Sequence, residues 1–226
     1  MCSRYALTSP PEAVRAYFAH CNETAYPPRY NIAPSQPVLI VRHDHARRRE
    51  IALVRWGLIP SWSKDPAKLS MIINARSETA AEKPSFRGSL RHRRCIVPAD
   101  AFYEWSGSAS ARRPHMLRPA EGGLMALAGL WDHWLGADGS EIETMAILTV
   151  PASASVSRVH DRMPVILPQS RFEAWLDTSS GRSGEAEAIL AAAPEGRLEI
   201  LQLSPKINNS RNEGPQTQEI IGKMLI

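Results

Sequence analysis

PVLIVRHDHARRREIALVRWGLI, residues Pro37–Ile59, sets two apolar runs, Pro37–Val41 and Ile51–Ile59, on either side of the charged stretch RHDHARRRE. Each run is short and rich in residues that suit a pleated, half-buried surface, and the pair reads as a hairpin with an exposed basic end. Working outward, further strands are expected at Ile72–Ala75, Cys95–Trp105, Leu124–Trp134, Thr144–Val150, Pro164–Leu167 and Leu198–Leu203. A helix is expected over Pro11–Cys21, where Val14, Tyr17 and Phe18 fall at i, i+3, i+4 spacing. Ser77–Arg94 reads as partly helical, interrupted by Pro84 and Gly88, and helical patterns return at Gln169–Leu176 and Gly184–Ala193. KINNSRNEGPQ, Lys206–Gln216, reads as irregular. Strands dominate without a βαβ rhythm, so the expected class is α+β: a mixed or antiparallel sheet with peripheral helices. No repeat, linker or composition break divides the chain, which reads as one domain over residues 1–226.

Composition narrows the function classes. The chain has 226 residues, 43% hydrophobic and 22% charged, which excludes a disordered, collagen-like or coiled-coil protein. The longest apolar stretch, Leu124–Trp131, is far short of the ~18 residues that cross a bilayer. The opening MCSRYALTSP lacks a signal-peptide core, so a soluble, cytoplasmic protein is expected. Cys2, Cys21 and Cys95 are odd in number and form no CxxC pair, which argues against a disulfide framework or a cysteine zinc site. No His, Asp and Glu set has metal-ligand spacing, so neither metal nor cofactor is expected, and Cys21 and Cys95 read as packing residues. The net charge, 27 − 23 = +4, favours an anionic partner.

Several residues could carry chemistry. Removal of Met1 would leave Cys2 with an α-amine and a thiol on adjacent carbons, a pair that closes an aldehyde into a five-membered thiazolidine. The same residue could instead be an N-terminal nucleophile for amide cleavage, or an incidental second residue. Asn74 and Arg76 end an apolar run, where Asn can hold a carbonyl or amine and Arg can clamp a phosphate; a strand-end turn and a solvated charge are the plainer alternatives. Glu104, between Tyr103 and Trp105, is a candidate desolvated acid–base group, or else a surface position on an alternating strand. His160 in RVHDRMP is a candidate proton shuttle, or a turn histidine bonded to Asp161. Arg4, Arg29, Arg55, Arg76 and Arg162, with the basic runs Arg47–Arg49 and Arg91–Arg94, could line a phosphate surface. Trp56 and Trp62 are candidates for stacking on bases.

Taken in order, MCSRY, RYNIAPSQ (Arg29–Gln36), RWGLIPSW (Arg55–Trp62), INARSETA (Ile73–Ala80), CIVPADAFYEW (Cys95–Trp105), LTVPA (Leu148–Ala152) and HDRMPVIL (His160–Leu167) resemble the SOS response-associated peptidase family, which includes abasic-site sensors acting on single-stranded DNA. The pieces span roughly residues 2–210. The resemblance implies a β-barrel-like core and a positively charged groove. It implies that Cys2, freed of Met1 by the chain's own peptidase-like activity, crosslinks the aldehyde of an abasic deoxyribose in DNA-damage and SOS responses. Asn74 would position the Cys2 amine or the sugar, Glu104 would act as acid and base, and His160 would transfer protons, including during reversal. Arg4, Arg76 and Arg162 would hold the DNA backbone, and Pro34 and Trp62 would stack or wedge bases. The partner implied is single-stranded DNA carrying an abasic site, bound by a monomer, with no membrane, metal or cofactor. Two positions depart from the family pattern: Ser3 stands where glycine is usual, and the segment between Trp62 and Asn74 lacks adjacent aromatics. Two competing functions remain at this level: a thiol peptidase using Cys2, favoured less because Glu104 and a basic, Trp-bearing groove suit a sugar, and a single-strand-binding module with an idle Cys2.

Overall fold

The hairpin forms where the sequence places it, as strands Pro37–His43 and Arg49–Trp56 paired antiparallel from Pro37↔Arg55 to His43↔Arg49. The computed structural model describes residues 2–108, 111–191 and 197–223. Its strands, in chain order, are β1 Tyr5–Leu7, β2 Arg29–Ile32, β3 Pro37–His43, β4 Arg49–Trp56, β5 Asn74–Arg76, β6 Arg94–Ala99, β7 Ala101–Ser106, β8 Arg113–Pro119, β9 Met125–Leu135, β10 Glu141–Pro151, β11 Arg162–Pro164, β12 Leu198–Leu203 and β13 Ile220–Lys223. The helices are α1 Pro11–Phe18, α2 Ser77–Ala80, α3 Arg87–His92, α4 Phe172–Leu176 and α5 Gly184–Ala191. Of the helix expected over Gly184–Ala193, Ala192 and Ala193 lie outside the described residues.

One sheet runs β11-β10-β4-β3-β6-β9, and the β9–β10 pairing closes β10, β4, β3, β6 and β9 into a five-stranded barrel, with β5 added in parallel to β10. The other runs β13-β12-β8-β7-β1-β2 and curls against the barrel. The class is α+β with mixed pairing, as expected, since β10 joins β4 and β5 in parallel while the remaining ladders are antiparallel. The sheets share a core in which Phe102 and Leu117 from one meet Ile40, Ile96 and Leu148 from the other. Trp56 on β4 is fully buried and meets Tyr5 on β1 edge-on, with centroids 5.3 Å apart. Such a contact adds about 0.5–1.5 kcal/mol to the burial. It ties the N-terminal strand to the barrel wall.

Three expectations are corrected. Cys95–Trp105 is not one strand: the chain leaves the barrel at Asp100 and enters the second sheet. The Asp100 carboxylate accepts from the Thr8 and Ser9 amides and from Ser9 Oγ at 2.5 Å, which anchors the loop leading into α1. Trp56 is no stacking platform, because it is buried and its indole N–H donates to the Ile73 carbonyl at 2.9 Å. The last barrel-side strand is Arg162–Pro164, after which Ile166 makes a lone bridge to Leu127. Sequence reasoning also missed Arg113–Pro119, which lies between β7 and β12 in the second sheet despite Pro114 and Pro119.

Candidate active site

The seam between the two sheets collects four side chains that are far apart in sequence. Cys2 stands three residues before β1, which lies between β2 and β7; Glu104 is on β7, so Cys2 is laid within electrostatic reach of that carboxylate. Tyr103 N–H donates to the Arg4 carbonyl at 2.9 Å, extending the ladder toward Cys2. From the barrel side, Asn74 begins β5, held in register by Ile147 of β10. His160 precedes β11, held by Pro151↔Arg162. Ser3 causes no conflict, since its backbone is outside the left-handed region that favours glycine.

Cys2 is fully buried, and its thiol is pushed far above its ordinary range by burial and then by the charge of Glu104. Asn74 Nδ2 donates to the Cys2 carbonyl at 2.8 Å. Asn74 Oδ1 is buried and has no hydrogen-bond partner among the described residues. An acceptor held dry beside Cys2 is costly unless something donates to it. Glu104 is only 2% exposed, and burial, with Asp161 adding to it, pushes its carboxyl up to about 7. At neutral pH it is therefore present in both protonation states, which suits general acid–base work. Its Oε2 lies 3.9 Å from His160 Nε2, within ion-pair range. His160 Nδ1 accepts from the Arg162 amide at 3.0 Å, yet Asp161 Oδ1 is 2.9 Å from the same nitrogen. The first contact suits an unprotonated Nδ1 and the second a protonated one. Burial lowers the His160 pKa and Asp161 opposes it. The ring is thus placed to take or give a proton with little reorganisation.

The expected DNA-contact residues fall in different environments. Arg76 is exposed and makes no ion pair or side-chain hydrogen bond among the described residues. Trp62 is 58% exposed, with its indole N–H tethered to the Pro84 carbonyl at 3.2 Å. Pro34 is half-buried at a turn where Ser35 adopts φ 70°. Arg162 is engaged inward: its guanidinium meets Glu78 at 2.5 and 3.0 Å and the Thr149 carbonyl at 2.7 Å. That pairing holds the Glu78 carboxyl down at about 2. Arg4 lies over the Trp105 ring, 5.6 Å from its centroid. Among the described residues no group of three or more His, Cys, Asp or Glu side chains could hold a metal ion, and no helix is long and apolar enough to cross a membrane. The contact between His160 and Asp161 is the one the turn-histidine alternative expected from the sequence, whereas Thr149 was not singled out there.

A two-sheet α+β fold with Cys2, an asparagine, a raised-pKa glutamate and a histidine in its seam defines the class, and comparison identifies the family. The family model described as SOS response associated peptidase (SRAP) matches residues 1–210, and the chain belongs to this family. β13 shows that the second sheet continues beyond that match. Among curated relatives, the Bacillus subtilis (strain 168) "Abasic site processing protein YoqW" is 35% identical, covering 97% of this chain and 99% of its own length. The Xenopus tropicalis "Abasic site processing protein HMCES" is 32% identical, covering 98% of this chain and 78% of its own. A solved structure of a Bacteroides thetaiotaomicron protein superposes with a TM-score of 0.83 at 24% identity, over 97% of this chain and 100% of the other. One from Bordetella bronchiseptica gives 0.77 at 31%, over 90% and 100%.

Proposed function

We propose that this protein binds single-stranded DNA at an abasic site and captures the lesion through Cys2 as a thiazolidine, once Met1 has been removed. The observation that carries this reading is the convergence of Cys2, Asn74, Glu104 and His160 in one seam. The relatives' shared name, abasic site processing protein, supports the substrate class.

Loss of Met1, by the chain's own peptidase activity in the sense of the family's name, converts the Cys2 nitrogen from an amide to an amine. Such an amine ordinarily titrates at about 7.7–8.0, so much of it is neutral near pH 7.5. Ring opening of the abasic deoxyribose exposes the C1′ aldehyde, and Glu104 in its acid form protonates the ring oxygen as it leaves. The amine attacks C1′, and the carbinolamine expels water to give an imine. The sulfur then bonds to C1′ as the C=N pair withdraws onto nitrogen, which receives the thiol proton. Overall one water is lost. Burial keeps the thiol protonated, so the amine acts first and sulfur closes the ring. Asn74 fixes Cys2 through its carbonyl, and the unsatisfied Oδ1 accepts from the new amine. His160 moves protons to and from Glu104, and the same path in reverse reopens the ring. Arg4 and Arg76 contact phosphates, whereas Arg162, expected from the resemblance to do so, is taken up by Glu78 and Thr149 and braces β10 and β11 instead. Trp62 with Pro34 holds bases splayed beside the lesion, with the protein acting as a monomer.

The test is incubation with a single strand bearing one abasic site, followed by a denaturing gel. A band that survives heat with the processed protein, and is absent with Cys2→Ala, supports the reading. Intact binding with no such band for the processed protein overturns it.

A further inference from the structure

Asn31 on β2 is fully buried, and its side chain joins a cation to a chain segment that the catalytic reading does not use. Its Oδ1 accepts from Arg4 Nη1 at 2.6 Å. Its Nδ2 faces three carbonyls, those of Asn212 at 2.8 Å, Asn209 at 3.0 Å and Ile207 at 3.4 Å. Carbonyls only accept, so the nitrogen must face them and the oxygen must face Arg4. The Ile207 carbonyl also accepts from Arg4 Nη1, at 3.1 Å, which occupies both protons of that nitrogen. The 205–213 segment is fixed from two further sides. Trp105 Nε1 donates to Asn208 Oδ1 at 2.7 Å, and the Glu213 carboxylate accepts from the Tyr30 and Asn31 amides.

Arg4 is thus held by two neutral oxygens and the face of Trp105, with no carboxylate paired to it among the described residues. By contrast, Arg162 meets Glu78 and Arg29 meets Glu213. A guanidinium cradled only by neutral groups keeps its full charge for an anion, and one Nη is left to reach it. We infer that Asn31, with the 205–213 segment, is a positioning residue that aims Arg4 at a DNA phosphate. This rests on the DNA-binding reading above and adds a residue to it. It also makes a segment that begins near the end of the family match part of the DNA site.

The experiment measures binding of a single-stranded oligonucleotide carrying a tetrahydrofuran abasic analogue, which has no aldehyde, across a salt series. Each phosphate contact contributes about 0.7 to the slope of log K against log salt, or about fivefold in affinity at 0.1 M relative to 1 M salt. Asn31→Asp keeps the shape but sets a carboxylate on Arg4. It is expected to lose about 0.7 of slope, as Arg4→Ala does, and the double variant is expected to lose no more than either single one. A merely structural Asn31 would lower the melting temperature and leave the slope alone, and that result overturns the inference. Should Asn31→Asp fail to fold, Trp105→Leu removes both the ring beneath Arg4 and the tether to Asn208. The same loss of slope is then expected, and a wild-type slope in the folded Trp105→Leu protein overturns the inference. Absence of salt-dependent binding by the unaltered protein would instead sink the DNA reading, and the inference with it.

Discussion

Glu104→Gln should make the protein more stable and slower at once, and the size of the first effect follows from where the carboxyl sits. Its pKa rises from the ordinary 4.5 to about 7 because the side chain is removed from water. A group whose folded pKa is raised stabilises the fold fully below its unfolded pKa, and that contribution is lost as pH rises through the folded value. The window is therefore pH 4.5 to about 7, and at about 1.4 kcal/mol per pH unit the ionised form costs about 3 kcal/mol above it. Glutamine keeps the shape and carries no charge. The stability gap between Glu104→Gln and the parent should grow as pH is raised from 5 to 8, approaching about 3 kcal/mol in the variant's favour in urea unfolding. Over the same range the variant should crosslink about 10²-fold more slowly, since no proton carrier remains beside the sugar. A gap independent of pH would refute the claim that burial holds this carboxyl near neutrality. A crosslinking rate equal to that of the parent would refute its role as the acid–base group.

Three further outcomes follow from the same geometry. A chain with any residue kept before Cys2 has an amide where the amine is needed, and should bind DNA in a filter assay yet form no crosslink. Trp62→Ala, which removes an exposed ring proposed to stack on a base, should weaken single-strand binding by about tenfold, within the 1–3 kcal/mol typical of one base stacked on an aromatic. The same variant should reduce the fluorescence quenching seen on DNA addition, Trp105 beneath Arg4 accounting for the remainder. Arg76→Ala should flatten the salt dependence of binding by about 0.7 in slope without lowering the melting temperature, because Arg76 is exposed and unpaired among the described residues.

Elements that bury one continuous face were legible in the sequence. The Pro37–Ile59 hairpin, α1 and Leu198–Leu203 follow from local periodicity, and Leu198–Leu203 is found at the bounds expected. The break at Asp100 was not legible, because Cys95–Tyr103 is buried on both sides of it and reads as one apolar run. What turns the chain there is a set of hydrogen bonds to Thr8 and Ser9, more than ninety residues away. β8 was hidden for the opposite reason: its two prolines read as loop, yet the strand lies between β7 and β12. Cys2, Asn74, Glu104 and His160 were marked by residue type and by family motif, but no spacing rule could join them. They meet because β7 lies next to β1 in one sheet while β5 and β11 both pair with β10 in the other. Asn31 sat inside the quoted RYNIAPSQ motif without drawing notice, since its partners are backbone carbonyls of 207–212 that only the fold brings near.

The central claim is that one residue supplies both nucleophiles, and the intact mass of the conjugate with a single-stranded abasic oligonucleotide tests it most directly. The expected mass is that of the chain without Met1 plus the oligonucleotide, less one water, with fragmentation placing the link on Cys2 and borohydride leaving the mass unchanged. A conjugate that retains Met1, or that gains two hydrogens on borohydride treatment as an open imine does, would contradict the thiazolidine account.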